Sequence, residues 1–194
     1  MLILNLEDEL IDKDKPCFLR VTARAVVLKE RMALMVYCKY FDDYSFPGGG
    51  LEIGETLLEC LHREAKEEGG VEVKVIKEIA IVNEYRHHEL KQNYHKESHF
   101  YLCECINEEE AIFEDYELLH GYEKVWIDID EAIVHNKKLL IKIEETRKDI
   151  LARNNFEVNE IVLDSFKGLA SPCMLKREIQ VLEYLKKEHL DEKI

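Results

Sequence analysis

Proline is scarce in this chain: three in 194 residues, alongside eight glycines and one tryptophan. No Pro-rich or Gly-rich linker, low-complexity tract or internal repeat is visible, so neither a solenoid nor domains on a flexible string is expected. Long apolar runs are missing too, and nothing approaches the roughly 20 residues that a membrane-spanning helix needs. The opening, MLILNLEDELIDKDK, sets acids directly after a short apolar start. A secretory leader would carry basic residues, a longer apolar segment and a small-residue cleavage site. The expectation is a cytoplasmic protein with no membrane partner.

The six cysteines, at 17, 38, 60, 103, 105 and 173, include no C-x-x-C pair, which weakens a zinc or dithiol reading. Reduced, mostly buried thiols are expected. Positive charge is also in deficit: 27 Lys and Arg face 41 Asp and Glu, a net charge of -14. Binding a polyphosphate backbone through bare lysine and arginine is disfavoured, so no nucleic-acid polymer is expected as a partner. The phosphates of a small molecule stay within reach if divalent cations bridge them.

Hydrophobic residues make up 46% of the chain and charged residues 35%, enough for a sizeable core in one domain with an extension. Residues 18–29, FLRVTARAVVLK, read as a strand, Glu30-Arg31 as a turn, and 32–38, MALMVYC, as the partner strand. FDDY then leads into Phe46-Pro47-Gly48-Gly49-Gly50, a strong break. Thr56 to Glu68 reads as a helix, opened by a capping box of Thr56 and Glu59 and stopped by Gly69-Gly70. Residues 71–83 and 99–105 alternate as strands, and the polar stretch NEYRHHELKQNYHKES between them reads as a long loop. KVWID, 124–128, is a further short strand. From Ile129 the pattern turns helical, with segments at about 139–154 and 172–189, the second opened by Ser171-Pro172. This order predicts an α/β fold: a mixed sheet flanked by helices, with a helical C-terminal extension.

The stretch REAKEEGG, residues 63–70, is poor helix design. On a wheel of about 3.6 residues per turn, Leu58, Leu61 and Ala65 form a buried stripe, and Glu59, His62 and Lys66 face outward. Glu64, Glu67 and Glu68 crowd a third face. Like charges at this spacing repel by a few tenths of a kcal/mol per pair, and acids in a last turn meet the negative end of the helix dipole. A divalent cation reverses the sign of that cost. Hard cations such as Mg²⁺ take oxygen ligands and keep waters that substrate phosphates can replace. The Gly48-Gly49-Gly50 run lets main chain approach a metal or phosphate closely.

Gly49, then GLEIG, Glu55, TLLECLH, Arg63-Glu64-Ala65-Lys66-Glu67-Glu68-Gly69-Gly70-Val71 resembles the Nudix box. The pattern is a glycine, five residues, Glu, seven residues, Arg-Glu, an aliphatic, any residue, Glu-Glu, any residue, Gly and an aliphatic; every fixed position is met, with Ala65 the smallest acceptable aliphatic. The wider resemblance reaches from about Phe18 to about Ile133. It implies a Nudix-type α/β/α sandwich with a mixed β-sheet over residues 1–134, N-terminal arm included. Residues 135–194 are expected to be a helical extension packed on the same domain. The resemblance also implies Mg²⁺- or Mn²⁺-dependent hydrolysis of a nucleoside diphosphate linked to another moiety. By position, Glu64, Glu67 and Glu68 would hold metal, with the Gly49 carbonyl as a further oxygen ligand. Arg63 would pair with Glu55 or a neighbouring carboxylate and hold the geometry.

Several assignments stay open at this level. The general base is either Glu64 or a carboxylate outside the box: Glu117 in the acidic stretch FEDYE, with Glu114 and Glu123 as rivals. Arg24, in the first strand, is a substrate candidate against the ordinary reading of an outward-facing arginine. Tyr85 and Arg86 would stack on a base or grip a phosphate, against the reading of an exposed polar loop. A zinc site in HHELKQNYHKESH is opposed by irregular spacing. Isoprenoid diphosphate isomerisation would want a reactive cysteine near the site, and Cys60 is the one cysteine in the box. A nucleotide sensor without turnover is opposed by the intact glutamates. The longer motifs associated with NADH and coenzyme A specificity are absent. ADP-ribose, a nucleoside triphosphate, a nucleotide sugar and a dinucleoside polyphosphate all remain candidates. A homodimer is the commonest soluble assembly.

Overall fold

The computed structural model describes residues 1–11, 14–87, 93–158 and 160–190. Its strands are β1 (Leu2–Glu7), β2 (Cys17–Lys29), β3 (Met32–Cys38), β4 (Asp43–Ser45), β5 (Gly48–Gly50), β6 (Val71–His87), β7 (Asn93–Glu108) and β8 (Tyr122–Asp128). Its helices are α1 (Leu57–Glu67), α2 (Asp115–His120), α3 (Ile129–Arg153), α4 (Glu160–Asp164) and α5 (Pro172–Leu185), the last running into a π-helical turn, Lys186–Leu190.

Alternation in β2 organises the molecule. Side chains of a strand point to opposite faces in turn, so Ala23, Ala25 and Val27 go to one side and Thr22, Arg24 and Val26 to the other. Among the described residues the strands form one mixed sheet in the order β1-β6-β7-β2-β3-β4, with β5 also paired to β2 and β8 to β3. The β1–β6 and β2–β7 pairs are parallel. β2 pairs with β7 from Cys17 to Val27 but with β3 only at Leu28 and Lys29, so the sheet turns there into a second leaf.

Both faces are covered. On one, Cys60, Leu61 and Ala65 of α1 pack on Ala23, Ala25, Val27, Leu34 and Tyr101. On the other, Ile129, Ala132 and Ile133 of α3 and Val181, Leu182 and Leu185 of α5 pack on Val26, Met35, Phe46 and Phe100. This is the α/β/α layering with a mixed sheet that the sequence pattern predicts. The α1 boundaries also agree. Thr56 and Glu59 exchange capping bonds of 2.8 and 3.3 Å, and Gly70, at φ +56°, ends the helix in the left-handed conformation.

Four expectations need correction. Most of the polar stretch expected as a loop is sheet: β6 runs to His87 and β7 starts at Asn93. Cross-strand partners engage several of its side chains, as in the Tyr85–His95 stack at 4.3 Å and the Thr22–Ser98 hydroxyl bond at 2.9 Å. His88 to Gln92 of that stretch lie outside the described residues. α3 starts at Ile129 rather than near Leu139, because the Asp128 carboxylate accepts from Asp130 N–H at 2.8 Å and caps it there; the helix then passes unbroken through residues 134 and 135. Leu58 is 47% exposed, and Cys60 takes its place in the buried stripe. Ser171 does precede Pro172 at the start of α5, but its buried hydroxyl makes no capping bond.

One buried charge cluster ties α5 to the sheet. Arg177, Glu178 and Glu84 are fully buried. Arg177 donates through Nη1 to Glu84 at 2.5 Å, and through Nε and Nη2 to Glu178 at 3.0 and 2.5 Å. Burial pushes the Glu84 carboxyl up, but Arg177, Lys96 and Arg86 outweigh it and hold the group at about 2. A carboxylate whose folded pKa is below its ordinary 4.5 contributes stability above that value and loses it as pH falls toward about 2. Glu84→Gln should therefore cost about 3 kcal/mol near neutral pH, since it leaves Arg177 short of a partner. It should also lose less stability than the parent on acidification. Urea unfolding at about pH 7 and about pH 3 checks both, and an unchanged acid slope would count against Glu84 as its source.

Candidate active site

The last two turns of α1 and the short strand β5 form two walls of one acidic site. Arg63 is its hub. Its Nε and Nη2 grip the two oxygens of Glu55 at 2.9 and 3.0 Å, a bidentate fork. Nη1 donates to Glu64 at 2.7 Å and to Glu67 at 3.1 Å, and Nη2 also reaches the Gly50 carbonyl at 3.2 Å. These bonds hold the Glu55 carboxyl below its usual range and push the Arg63 guanidinium further up.

Glu64 is buried against β5. A Cβ built on Gly49 would fall 2.1 Å from Glu64 Oε1, so only glycine leaves that carboxylate its place. Burial raises the Glu64 carboxyl despite the opposing pull of Arg63. The third box carboxylate, Glu68, accepts from Gly48 N–H at 2.8 Å. Burial pushes it up to about 8, with the charges of Glu64 and Glu117 adding to the rise and Gly48 N–H and Arg24 opposing it. The Gly49 carbonyl accepts from the Cys60 thiol at 3.4 Å. That thiol is buried and pushed up to about 11, which makes it a poor proton donor or nucleophile near neutrality.

Glu117, the candidate from outside the box, lies on α2 and is buried. It accepts from Glu114 N–H at 2.8 Å and from the Tyr116 hydroxyl at 2.9 Å. Its rivals Glu114 and Glu123 are exposed. Arg24 does not face outward. It is buried, donates to the Phe46 carbonyl at 2.6 Å, and keeps a buried Nε without a partner. Tyr85 and Arg86 are separated by the sheet. Tyr85 stacks on His95, whereas Arg86 sits 5.2 Å over the Tyr94 ring on the face that Arg24 shares. Arg20, which the sequence reading passed over, lies beside β5: a Cβ on Gly50 would meet its Nε at 2.4 Å. Its spacing of four from Arg24 in an alternating strand was the available signal.

Among the described residues no three His, Cys, Asp or Glu side chains stand as a formed metal cluster. Arg63 instead engages Glu64 and Glu67. The donor chemistry nevertheless fits a hard cation: carboxylate and carbonyl oxygens, a glycine that gives Glu64 room, and a half-buried Glu68 with too little compensating charge.

The NUDIX domain family model matches residues 18–153, well over half of the chain. The chain belongs to the NUDIX family. YjhB of Bacillus subtilis (strain 168), provisionally named an ADP-ribose pyrophosphatase, is 31% identical over 84 residues, covering 43% of this chain and 40% of that protein. The NUDIX chain thus spans less than half the length of that curated relative. A solved UDP-X diphosphatase is 16% identical, with 90% of this chain and 66% of that one covered at a TM-score of 0.51, which supports the fold alone. An ADP-ribose pyrophosphatase from Streptococcus suis 89-1591 is 18% identical, with 88% and 94% covered and a TM-score of 0.45. The family match ends with α3, so α4 and α5 lie beyond it.

The half-buried Glu68 makes a pH prediction for the metal-free NUDIX protein. Its folded pKa of about 8 lies above the ordinary 4.5, so the folded state holds a proton that the unfolded chain has lost. This contribution to stability is present below 4.5 and disappears as pH rises toward about 8. Melting temperatures in a chelator should fall over that window, and Glu68→Gln should flatten the fall. A parallel fall in the variant would assign the slope to other groups.

Proposed function

We infer that this NUDIX protein hydrolyses a diphosphate bond in a nucleoside diphosphate linked to another moiety, using Mg²⁺ or Mn²⁺. The observation that carries this reading is the convergence of Arg63 on Glu55, Glu64 and Glu67, with Glu68 fixed alongside by Gly48 N–H. Glu64, Glu67 and Glu68 would hold the cation, with the Gly49 carbonyl as a further oxygen. The bound cation would supply charge neutralisation for the diphosphate and a lowered pKa for its attacking water.

The chain's own residues do the rest. Arg63 gathers Glu55, Glu64 and Glu67 in one place and offsets their mutual repulsion. Gly49 lets Glu64 approach the main chain. A buried carboxylate takes the proton from water during attack on phosphorus; Glu64 and Glu117 are the two candidates, since the charges of both bear on Glu68. Arg24, Arg86 and Tyr85 are offered as substrate contacts. Arg24 and Arg86 share a sheet face, and Tyr85 would have to act from the opposite one. The nucleotide class stays broad. ADP-ribose heads the panel because YjhB carries an ADP-ribose pyrophosphatase name, followed by nucleoside triphosphates, nucleotide sugars and dinucleoside polyphosphates. A reducing, cytoplasmic setting suits six free cysteines.

The test is product release from that panel with Mg²⁺ and with Mn²⁺. Glu67→Gln and Glu68→Gln should each lower turnover by at least about 100-fold, the upper end of losses seen for residues that merely support a ligand. Full turnover in both variants would remove them from the site. Nucleotide binding with no turnover in the parent protein would favour a sensor. Saturating Mg²⁺ at roughly 100 times its dissociation constant should also stabilise the parent by about 2.7 kcal/mol. A melting temperature that ignores Mg²⁺ would count against the three glutamates as a shared site.

A further inference from the structure

We propose that α5, beyond the family match, is part of the active-site machinery: Glu178, held by Arg177, positions β5 and through it Glu64 and Glu68. This rests on the metal-assisted reading above. β4 stands at the end of the strand order, with its outer edge unpaired by any strand among the described residues. The Asn136 side chain of α3 accepts from Tyr44 N–H at 3.1 Å and donates to the Tyr44 carbonyl at 2.8 Å. Two residues on, Phe46 N–H donates to Glu178 Oε2 at 3.3 Å, and Arg24 donates to the Phe46 carbonyl at 2.6 Å. Buried side chains of two helices thus replace the strand that would otherwise cover this edge. Phe46 is itself fully buried, so its peptide groups have no water to turn to.

What Phe46 fixes is the entry to the site. The next carbonyl, Pro47, accepts from Ala25 N–H at 2.9 Å, and the next amide, Gly48, donates to Glu68 at 2.8 Å. Gly49 then backs Glu64 at a distance no side chain would permit. A shift of Phe46 therefore moves the Gly48 donor and the Gly49 floor together. Glu178 cannot hold Phe46 alone, because a buried carboxylate needs its own partners. Arg177 supplies them and is fixed on its far side by Glu84 of β6. Glu178 and Arg177 are positioning residues: neither needs to touch substrate or metal.

The full chain is tested with Glu178→Ala and the milder Glu178→Gln, which keeps the size and one acceptor oxygen. Glu183→Gln, at the exposed Lys137–Glu183 pair, is the control for charge on the same helix. Three readouts are taken: Mn²⁺ titration of the protein without substrate, kcat and KM across Mg²⁺ concentration, and amide exchange at Phe46 and Gly48. Expected for Glu178→Ala are faster exchange at both amides, a dissociation constant for Mn²⁺ raised about tenfold, and a kcat loss relieved by excess metal with KM little changed. Glu178→Gln should fall between parent and Glu178→Ala, and Glu183→Gln should match the parent. If Glu178→Ala does not fold, the Gln variant carries the same comparisons. Unchanged Mn²⁺ affinity and unchanged Gly48 exchange in a folded Glu178 variant would overturn the proposal. If the parent protein shows no turnover, the function reading fails, while Mn²⁺ affinity and amide exchange still decide the role of α5.

Discussion

Negative charge held together against its own repulsion is the constraint around which this molecule is arranged. Glu55, Glu64 and Glu67 converge on one guanidinium, with Glu68 alongside on Gly48 N–H, and one cation cannot neutralise four anions. The surplus falls on Glu64 and Glu68. Glu64 and Glu68 are the carboxyls that burial raises, whereas Glu55, gripped by both arms of Arg63, is lowered. The site therefore contains an ordered gradient, from a satisfied anchor at Glu55 to an unsatisfied end at Glu68. A cation would gain most at that unsatisfied end.

The opposite face of the sheet solves a related problem by another route. Glu84, Arg177 and Glu178 are buried completely, yet each carboxylate has an arginine partner within the cluster. Such a cluster adds little net stability over an apolar core of equal volume, but it is very sensitive to loss of one member. That sensitivity makes it suited to fixing register. The apolar contacts of Val181, Leu182 and Leu185 would tolerate small slides of α5 along the sheet, whereas a charge-assisted bond to Phe46 N–H would not.

Much of this was legible in the sequence because local rules and tertiary structure agree there. The capping box of Thr56 and Glu59, the Gly70 stop and the alternation of β2 act within a few residues, and each appears where the pattern puts it. The box spacing brought Glu55, Arg63 and Glu64 together on paper, and Arg63 does join them in space. The readings that failed depended on partners distant in sequence. Polar residues 84–85 and 93–98 look like part of a loop until β1 and β2 are known to pair with them. Arg24 looks outward-facing until Phe46, Arg177 and Glu178, all distant in sequence, are placed around it. Glu178 carries no local signal, since nothing in MLKREIQVLEYL says that its carboxylate meets a peptide group 132 positions earlier.

The two charged regions share one element. Arg24 sits between them: its guanidinium donates to the Phe46 carbonyl, its charge pulls Glu68 down, and it also feels Arg177 and Glu178. An arginine in that position couples the faces of the sheet through electrostatics as well as through the backbone. If Glu68 releases its proton to solvent and takes a cation in its place, the charge facing Arg24 changes, and the Phe46 clamp feels it. Metal binding at α1 and the seating of α5 would then be coupled, and that coupling must be reciprocal. The helix beyond the family match is in this sense not an appendage: it closes the ionic circuit in which the box carboxylates are held.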